Sequence, residues 1–154
     1  MPRRMTKAKM LVLADTNILV RLFNQNDPQY RVTVSALNRL SKLDSDICVA
    51  PQNIVESWNT ATRPVDRNGM GIAPFLVEEI VTRIEGTYQI LPESPDVYPL
   101  WRKLVAKYSV SGVKVYDTRL VASAVVYGVE SILTFNIADF RRYSEIKVLD
   151  PKTI

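Results

Sequence analysis

Histidine is absent from the 154 residues of the chain, and cysteine occurs once, as Cys48. These two scarcities exclude a zinc finger, a disulfide scaffold and a catalytic pair of the Cys–His or Ser–His kind. Cys48 stands within a short apolar run and is expected to be a small core residue. Any acid–base or metal chemistry must therefore depend on carboxylates, lysine, tyrosine or the backbone.

Long apolar runs are also missing. No segment approaches the roughly 18 consecutive apolar residues that a membrane span requires. The N-terminus is basic, but it lacks the apolar centre and the small-residue cleavage site of a signal peptide. We therefore expect a cytoplasmic protein.

The body of the chain carries no excess of charge of either sign. The net charge is +4, and four cations precede the first predicted strand, at Arg3, Arg4, Lys7 and Lys9. The rest of the chain is therefore neutral overall, which argues against a generally basic surface that coats nucleic acid. Residues 1–9 are predicted to form a basic, flexible tail, either an arm that attracts phosphates or a solvated segment.

Residues 10–154 have the length of one domain and can bury a core without a disulfide or a structural metal. Short apolar runs that favour strands alternate with amphipathic segments that favour helices. The predicted strands are 11–14, 47–51, 88–91, 132–135 and a weak 147–149. The predicted helices are 18–23, 28–43, 52–62, 74–85, 94–108 and 117–127. This alternation predicts an α/β fold of three layers, in which helices cover both faces of a central, mostly parallel sheet of four to five strands.

The apolar run 11–14 leads directly into an acid, Asp15. If the run is a buried strand, this carboxylate lies at its carboxyl end, where ligands bind in open α/β sheets. Thr16 or Asn17 is predicted to cap the helix that follows. The alternative interpretation is that Asp15 is only a turn and cap residue, and this stretch alone leaves both interpretations open.

Three further acids take similar positions in the predicted fold. Glu56 lies on the helix after the second strand, Asp117 begins a helix behind a loop, and Asp139 follows the fourth strand. Carboxylates that cluster at one edge of a sheet cannot all stay ionised without a cation. Hard divalent ions such as Mg²⁺ or Mn²⁺ suit an all-oxygen site and assist phosphodiester hydrolysis. Acids also follow strands as ordinary turn residues, so spacing alone does not decide between the two.

The segments around the four acids resemble the motifs of PIN-domain ribonucleases. Residues 13–19 (LADTNIL) resemble the opening motif, and Glu56 within 53–56 (NIVE) is similar to the family's second acid. Residues 117–124 (DTRLVASA) and 133–140 (LTFNIADF) resemble the segment around the third acid and the closing motif. Together they span nearly the whole chain in order, and the nearest subgroup is the VapC-like toxins of type II toxin–antitoxin pairs.

The resemblance implies a PIN fold and an endoribonuclease that uses Mg²⁺ or Mn²⁺ to hydrolyse RNA. It also implies a homodimer and a small antitoxin that blocks the acidic site. On the same basis, Asp15 and Asp117 are the expected principal metal ligands. Glu56 is expected to bind a second ion or orient the attacking water, and Asp139 to be the fourth carboxylate. Many members carry an acid where Asn136 stands, so Asn136 is expected to be a neutral ligand or a phosphate contact.

Neighbouring residues are candidates for substrate contacts or for support of the acids. These are Thr16, Asn17, Thr134, Asn136 and Arg119. Arg119 lies within one turn of Asp117, where it would neutralise the site, touch a phosphate or form a surface ion pair. Arg63 and Arg67, in a loop rich in turn-forming residues, would guide RNA or be solvated.

Three other classes of protein fit the pattern less well. A catalytically silent PIN-like module that binds RNA or protein has no need of four mutually repelling acids. A phosphatase of the haloacid dehalogenase type needs a second acid two residues after the first, and Asn17 stands there. A receiver domain needs a pair of adjacent acids near the first strand, and the sequence shows no clear pair.

Overall fold

Five short strands form the sheet that positions the acids. They are β1 (Met10–Ala14), β2 (Ser45–Val49), β3 (Gln89–Ile90), β4 (Ser131–Leu133) and β5 (Lys147–Leu149). The computed structural model describes residues 9–154, and across these the strands follow the order β3-β2-β1-β4-β5, with every neighbouring pair parallel. β1 is therefore the central strand, and the carboxyl ends of the strands share one edge of the sheet.

Seven α-helices accompany the strands in this part of the chain. They are α1 (Thr16–Leu19), α2 (Tyr30–Lys42), α3 (Pro51–Thr62), α4 (Pro74–Thr87), α5 (Val97–Lys107), α6 (Lys114–Val126) and α7 (Ile137–Phe140). Short 3₁₀ turns follow α1 at Val20–Phe23 and α3 at Val65–Arg67. None of the helices within residues 9–154 is long and apolar enough to cross a membrane.

The two faces of the sheet pack against different helices. In β1, Leu11 and Leu13 face the layer of α5 and α6, whereas Val12 and Ala14 face α1 and α2. This alternation follows from the two-residue repeat of a strand. Because both faces are covered, the inner strands are largely apolar, and Cys48 of β2 is fully buried in the core as expected. The predicted three-layer α/β/α fold is confirmed, with a sheet of five strands.

The second helix begins later than predicted. The sequence predicts Asp27 as the cap of a helix over 28–43, but α2 begins at Tyr30. The Asp27 carboxylate accepts a hydrogen bond from the backbone N–H of Gln29 at 2.8 Å. Asp27 therefore stabilises the turn before the helix and not the helix itself.

Three other boundaries also differ from prediction. Gly86 is predicted to end a helix but lies within α4. β4 stops before Thr134, although the predicted strand continues past it. The helix predicted over 117–127 begins three residues too late, because Lys114 is the first residue of α6. Lys114 and Asp117 therefore lie on the same helix turn.

The basic tail predicted at residues 1–9 lies outside the described residues, except for Lys9. The Lys9 ammonium lies 3.3 Å from the carboxylate of Asp46 in β2. Both side chains are exposed, and such pairs contribute little to stability.

A close backbone approach shapes the loop between α3 and α4. The N–H of Gly71 donates to the carbonyl of Arg63 at 2.9 Å, and the N–H of Gly69 donates to the carbonyl of Pro64 at 3.0 Å. A Cβ atom on Gly69 would lie 1.8 Å from the Arg63 carbonyl oxygen, so glycine is required there. The Arg63 guanidinium also donates to the carbonyl of Asn68 at 2.9 Å, and Arg63 therefore braces the loop.

We expect Gly69→Ala to lower the free energy of unfolding by about 1–3 kcal/mol, because the added methyl group must displace the Arg63 carbonyl. Gly86→Ala is the matched control, since its Cβ would meet no atom within 4 Å. Alanine is the better helix former, so this variant should gain about 0.5 kcal/mol. Urea denaturation followed by circular dichroism measures both. An unchanged midpoint for Gly69→Ala would show that the loop adapts without strain.

Candidate active site

Asp15 joins the end of β1 to the start of α1. Its backbone N–H donates to the carbonyl of Leu133 at 3.0 Å, which extends the pairing of β1 with β4. Its Oδ1 accepts from the N–H of Thr16 at 2.7 Å, so Asp15 itself caps α1, and the prediction of Thr16 or Asn17 as the cap is wrong. Its Oδ2 accepts from Thr134 Oγ1 at 2.7 Å. Asp15 is thus a helix cap whose carboxylate is also held from the β4 side.

The four predicted acids interact electrostatically. Burial raises the pKa of Asp15, which is 5% exposed, to about 6, although hydrogen bonds from Thr134 and Thr16 lower it. The negative charges of Glu56 and Asp139 raise the pKa of Asp15 further. Burial also raises the pKa of Asp117 to about 6, and the charges of the other three acids add to the effect. The structure therefore brings together an acid cluster, which consists of Asp15, Glu56, Asp117 and Asp139.

Glu56, on α3, is bound through both of its carboxylate oxygens. Thr16 Oγ1 donates to Glu56 Oε2 at 2.7 Å, and Gln52 Nε2 donates to Glu56 Oε1 at 2.7 Å. Asn53 Nδ2 donates in turn to Thr16 Oγ1 at 3.1 Å, and Asn53 Oδ1 accepts from the N–H of Ala50 at 3.0 Å. These bonds fix the first turns of α3 against α1.

Gln52 also joins α3 to the first turn of α6. Its Nε2 donates to the carbonyl of Tyr116 at 2.9 Å, next to Asp117. Its Oε1 accepts from Arg119 Nη1 at 3.1 Å, and Arg119 Nη2 lies 3.5 Å from Glu93. Arg119 therefore supports the frame around the acids and forms an ion pair with a residue outside the cluster.

Asp139, on α7, is paired with a lysine. Lys114 Nζ lies 2.6 Å from Asp139 Oδ1, and both side chains are partly exposed. The hydrogen bond to Asp139 raises the pKa of Lys114, which therefore stays charged. The fourth carboxylate thus faces a cation supplied by the same helix that carries Asp117.

A polar turn after β4 holds Asp15 in place. Thr134 Oγ1, which donates to Asp15, also accepts from Asn17 Nδ2 at 3.1 Å and from the N–H of Asn136 at 3.0 Å. Asn17 Oδ1 accepts from the N–H of Phe135 at 3.2 Å. The hydroxyl of Thr134 is buried and its one proton is engaged, so Thr134 and Asn17 support the acid. The side chain of Asn136 is exposed, and its substrate contact stays a prediction.

The acid cluster offers only oxygen donors, which hard divalent cations prefer. Within residues 9–154, no three acidic side chains converge as a ready-made metal-binding group. Glu56 and Asp139 are instead bound by neighbouring donors, while none of the described ion pairs involves Asp15 or Asp117. The donor set and the raised pKa values of these two acids fit a divalent cation that would neutralise them.

Gln52 and Lys114 contact cluster acids but are not predicted from the sequence. Gln52 stands four residues before Glu56, a spacing that places both on one helix face, so the sequence does contain a signal for this contact. Lys114 stands three residues before Asp117, which is a helical spacing. The predicted helix begins only at Asp117, however, so the sequence does not indicate that the two residues share a helix turn. Its contact with Asp139 depends on how α6 packs against α7.

Comparison with known proteins gives a match over most of the chain. A family model of the PIN domain matches residues 12–146. A direct comparison with curated protein sequences finds no match.

Solved structures with a similar fold include VapBC complexes and a VapC toxin. The chain resembles VapBC-1 from nontypeable Haemophilus influenzae, at 16% identity and a TM-score of 0.70 over 92% of this chain and 98% of that chain. It resembles DNA-bound VapBC from Salmonella typhimurium, at 17% identity and a TM-score of 0.67 over 93% and 98%. It also resembles VapC20 from Mycobacterium tuberculosis, a sarcin–ricin loop cleaving toxin, at 12% identity and a TM-score of 0.58 over 79% and 86%. Likeness at these identities shows the fold.

Removing the charge of Asp15 should stabilise the metal-free chain at neutral pH. The folded pKa of about 6 lies above the ordinary value of 3.8, so ionisation of the buried carboxyl opposes folding. Below about pH 4 this cost is absent, and between about pH 4 and 6 it grows to roughly 3 kcal/mol. The unsubstituted chain should therefore lose stability relative to Asp15→Asn as the pH rises through this window.

Urea denaturation in EDTA at about pH 4 and about pH 7 measures the difference. At the lower pH, the difference in unfolding free energy between Asp15→Asn and the unsubstituted chain reports the altered hydrogen bonds to Thr16 and Thr134. Only the change of this difference with pH is therefore attributed to the charge. A difference in unfolding free energy that is the same at both pH values would contradict the raised pKa of Asp15.

Proposed function

The chain belongs to the PIN-domain family, and from this membership we propose that it is a divalent-metal-dependent endoribonuclease that hydrolyses RNA phosphodiester bonds. The observation that carries the proposal is the acid cluster, whose four carboxylates come from the end of β1 and from α3, α6 and α7. The buried charge of Asp15 and its repulsion by neighbouring acids destabilise the fold, so stability does not account for the cluster. The cluster favours a function that needs a cation and a polyanionic substrate.

Asp15 and Asp117 are the proposed principal ligands of Mg²⁺ or Mn²⁺. A bound ion would act as a Lewis acid that lowers the pKa of water and offsets the charge of the phosphate. Glu56, which two hydrogen bonds hold in one orientation, would orient the attacking water or bind a second ion. Asp139 would supply the fourth carboxylate, and the exposed Asn136 a neutral contact to the phosphate.

The proposal also concerns the role of the chain as the toxin of a toxin–antitoxin pair. The chain shares its fold over almost its whole length with VapBC complexes and with a toxin–antitoxin complex from Klebsiella pneumoniae. We therefore propose that this chain is the toxin of such a pair, that a small antitoxin covers the acid cluster, and that the toxin forms a homodimer in the cytoplasm.

RNA cleavage tests the nuclease directly. With Mn²⁺ the purified chain should cut a total-RNA pool into discrete fragments, and EDTA should abolish this cleavage. Asp15→Asn should cleave at least about 100-fold more slowly, since it removes one of the two proposed principal ligands of the ion. Asp66→Asn, which removes an exposed acid from the loop after α3, is the matched control and should cleave normally.

Equal cleavage by Asp15→Asn and by the unsubstituted chain would point to a contaminating nuclease and contradict the assignment. Absence of cleavage in every condition would favour the catalytically silent binding module, for which the lack of a ready-made metal group within residues 9–154 is the supporting observation.

Metal binding should also appear as thermal stabilisation. For a dissociation constant of about 1 mM, roughly 10 mM Mn²⁺ stabilises the fold by about 1.4 kcal/mol. This corresponds to a rise in Tm of roughly 3–6 °C for a domain of this size. Asp117→Asn should lose most of the rise, whereas Asp66→Asn should keep it. A rise of equal size in Asp117→Asn would place the bound ion elsewhere.

A further inference from the structure

A lysine is paired with one member of the acid cluster. Lys114 Nζ lies 2.6 Å from Asp139 Oδ1, with the lysine side chain 43% exposed and the aspartate side chain 32% exposed. Lys114 and Asp117 are three residues apart on α6 and therefore lie on neighbouring positions of one helix face. The ammonium charge is felt by Asp139 and, more weakly, by Asp117. Lys114 thus brings a positive charge to two of the four acids.

The pair is unusual in its position and not in its geometry. Among the five ion pairs of residues 9–154, it alone contains a member of the acid cluster. Lys107 and Glu145 form a similar pair at 2.8 Å, with side chains 56% and 20% exposed, away from the acids. Partly exposed pairs contribute at most about 1 kcal/mol, so stability does not explain a lysine at this place.

We propose that Lys114 is the resident cation of the acid cluster, and that its ammonium competes with a divalent ion for the carboxylate of Asp139. The inference rests on the proposed metal-dependent function and specifies the regulation of that site. In the metal-free chain Asp139 is paired with Lys114, whereas Asp15, Glu56 and Asp117 form no ion pair within residues 9–154. Lys114 therefore acts as a positioning residue, since it sets how many carboxylates an incoming ion meets.

The charges around Asp139 determine in which direction Lys114 changes the affinity for a divalent ion. A divalent ion near Asp139 meets the repulsion of the ammonium and a carboxylate whose charge is already partly neutralised. Replacing Lys114 by an uncharged residue of similar length removes both obstacles. At the effective dielectric of a partly exposed site, one unit charge a few ångströms away changes ion affinity by about tenfold or more.

Mn²⁺ titration by isothermal calorimetry, on the full chain and without RNA, tests the proposal. Lys114→Met should bind Mn²⁺ about tenfold more tightly or take up one additional ion per chain. Lys114→Arg keeps the charge and should restore the original affinity and stoichiometry. Lys107→Met removes the comparable pair with Glu145 and should leave Mn²⁺ binding unchanged. Metal-free melting curves establish that each variant is folded.

A double substitution shows whether Lys114 acts through Asp139. In the background of Asp139→Asn, the effect of Lys114→Met on Mn²⁺ affinity should be at least about threefold smaller, because the contested carboxylate is gone and only the repulsion between the ammonium and the ion remains. An undiminished effect would mean that the lysine acts only as a distant charge, and it would overturn the proposal.

The outcomes separate this inference from the proposed function. If the unsubstituted chain binds Mn²⁺ and Lys114→Met binds it equally, the role of Lys114 is rejected and the nuclease proposal stands. If Lys114→Met gains affinity but no variant cleaves RNA, the nuclease proposal fails and the role of Lys114 stands. If neither the unsubstituted chain nor Lys114→Met binds Mn²⁺, both are rejected.

Discussion

The arrangement of the site depends on how one buried carboxylate is held. Asp15 lies where β1, α1 and the end of β4 meet, and its two oxygens are satisfied by Thr16 and Thr134. Thr134 can donate to Asp15 because Asn17 and the N–H of Asn136 both donate to its hydroxyl and orient its proton. The bonds that make the acid tolerable are therefore the bonds that close the carboxyl edge between the two strands at the centre of the sheet.

A second constraint is the set of hydrogen bonds through which Gln52 joins α3, which carries Glu56, to α6, which carries Asp117. The Gln52 amide donates twice through Nε2, to Glu56 and to the carbonyl of Tyr116, and accepts once through Oε1, from Arg119. The reversed amide would place its oxygen against two acceptors and its donors against a cation, so one orientation alone satisfies all three bonds. Because Gln52 is buried, leaving one of these polar groups without a partner would lower the stability of the fold. With all three hydrogen bonds made, Gln52 joins α3 to α6.

The sequence is sufficient to predict the layers of the fold, because buried parallel strands are apolar runs. It also identifies the four candidate acids, because Asp15 directly follows one of these runs and the other three take similar positions. The exact ends of elements follow from contacts that periodicity does not contain. Thr134 is flanked by apolar residues, yet its hydroxyl accepts the N–H of Asn136 and ends β4 early. The start of α6 has no side-chain cap at Val113, so nothing in the sequence marks Lys114 as helical. Its contact with α7 then depends on tertiary packing alone.

The strand order places the first strand of the chain in the middle of the sheet. During translation, β1 can pair with β2 soon after both have left the ribosome, but its other edge stays open until residues 131–133 have been added. A growing chain therefore exposes an apolar strand edge until β4 has been added, and such an edge is the kind of surface on which chaperones act. The same topology delays the chemistry of the molecule. The four acids are spread from position 15 to position 139, so a nascent chain cannot present the complete cluster until position 139 has been added and has folded against the rest.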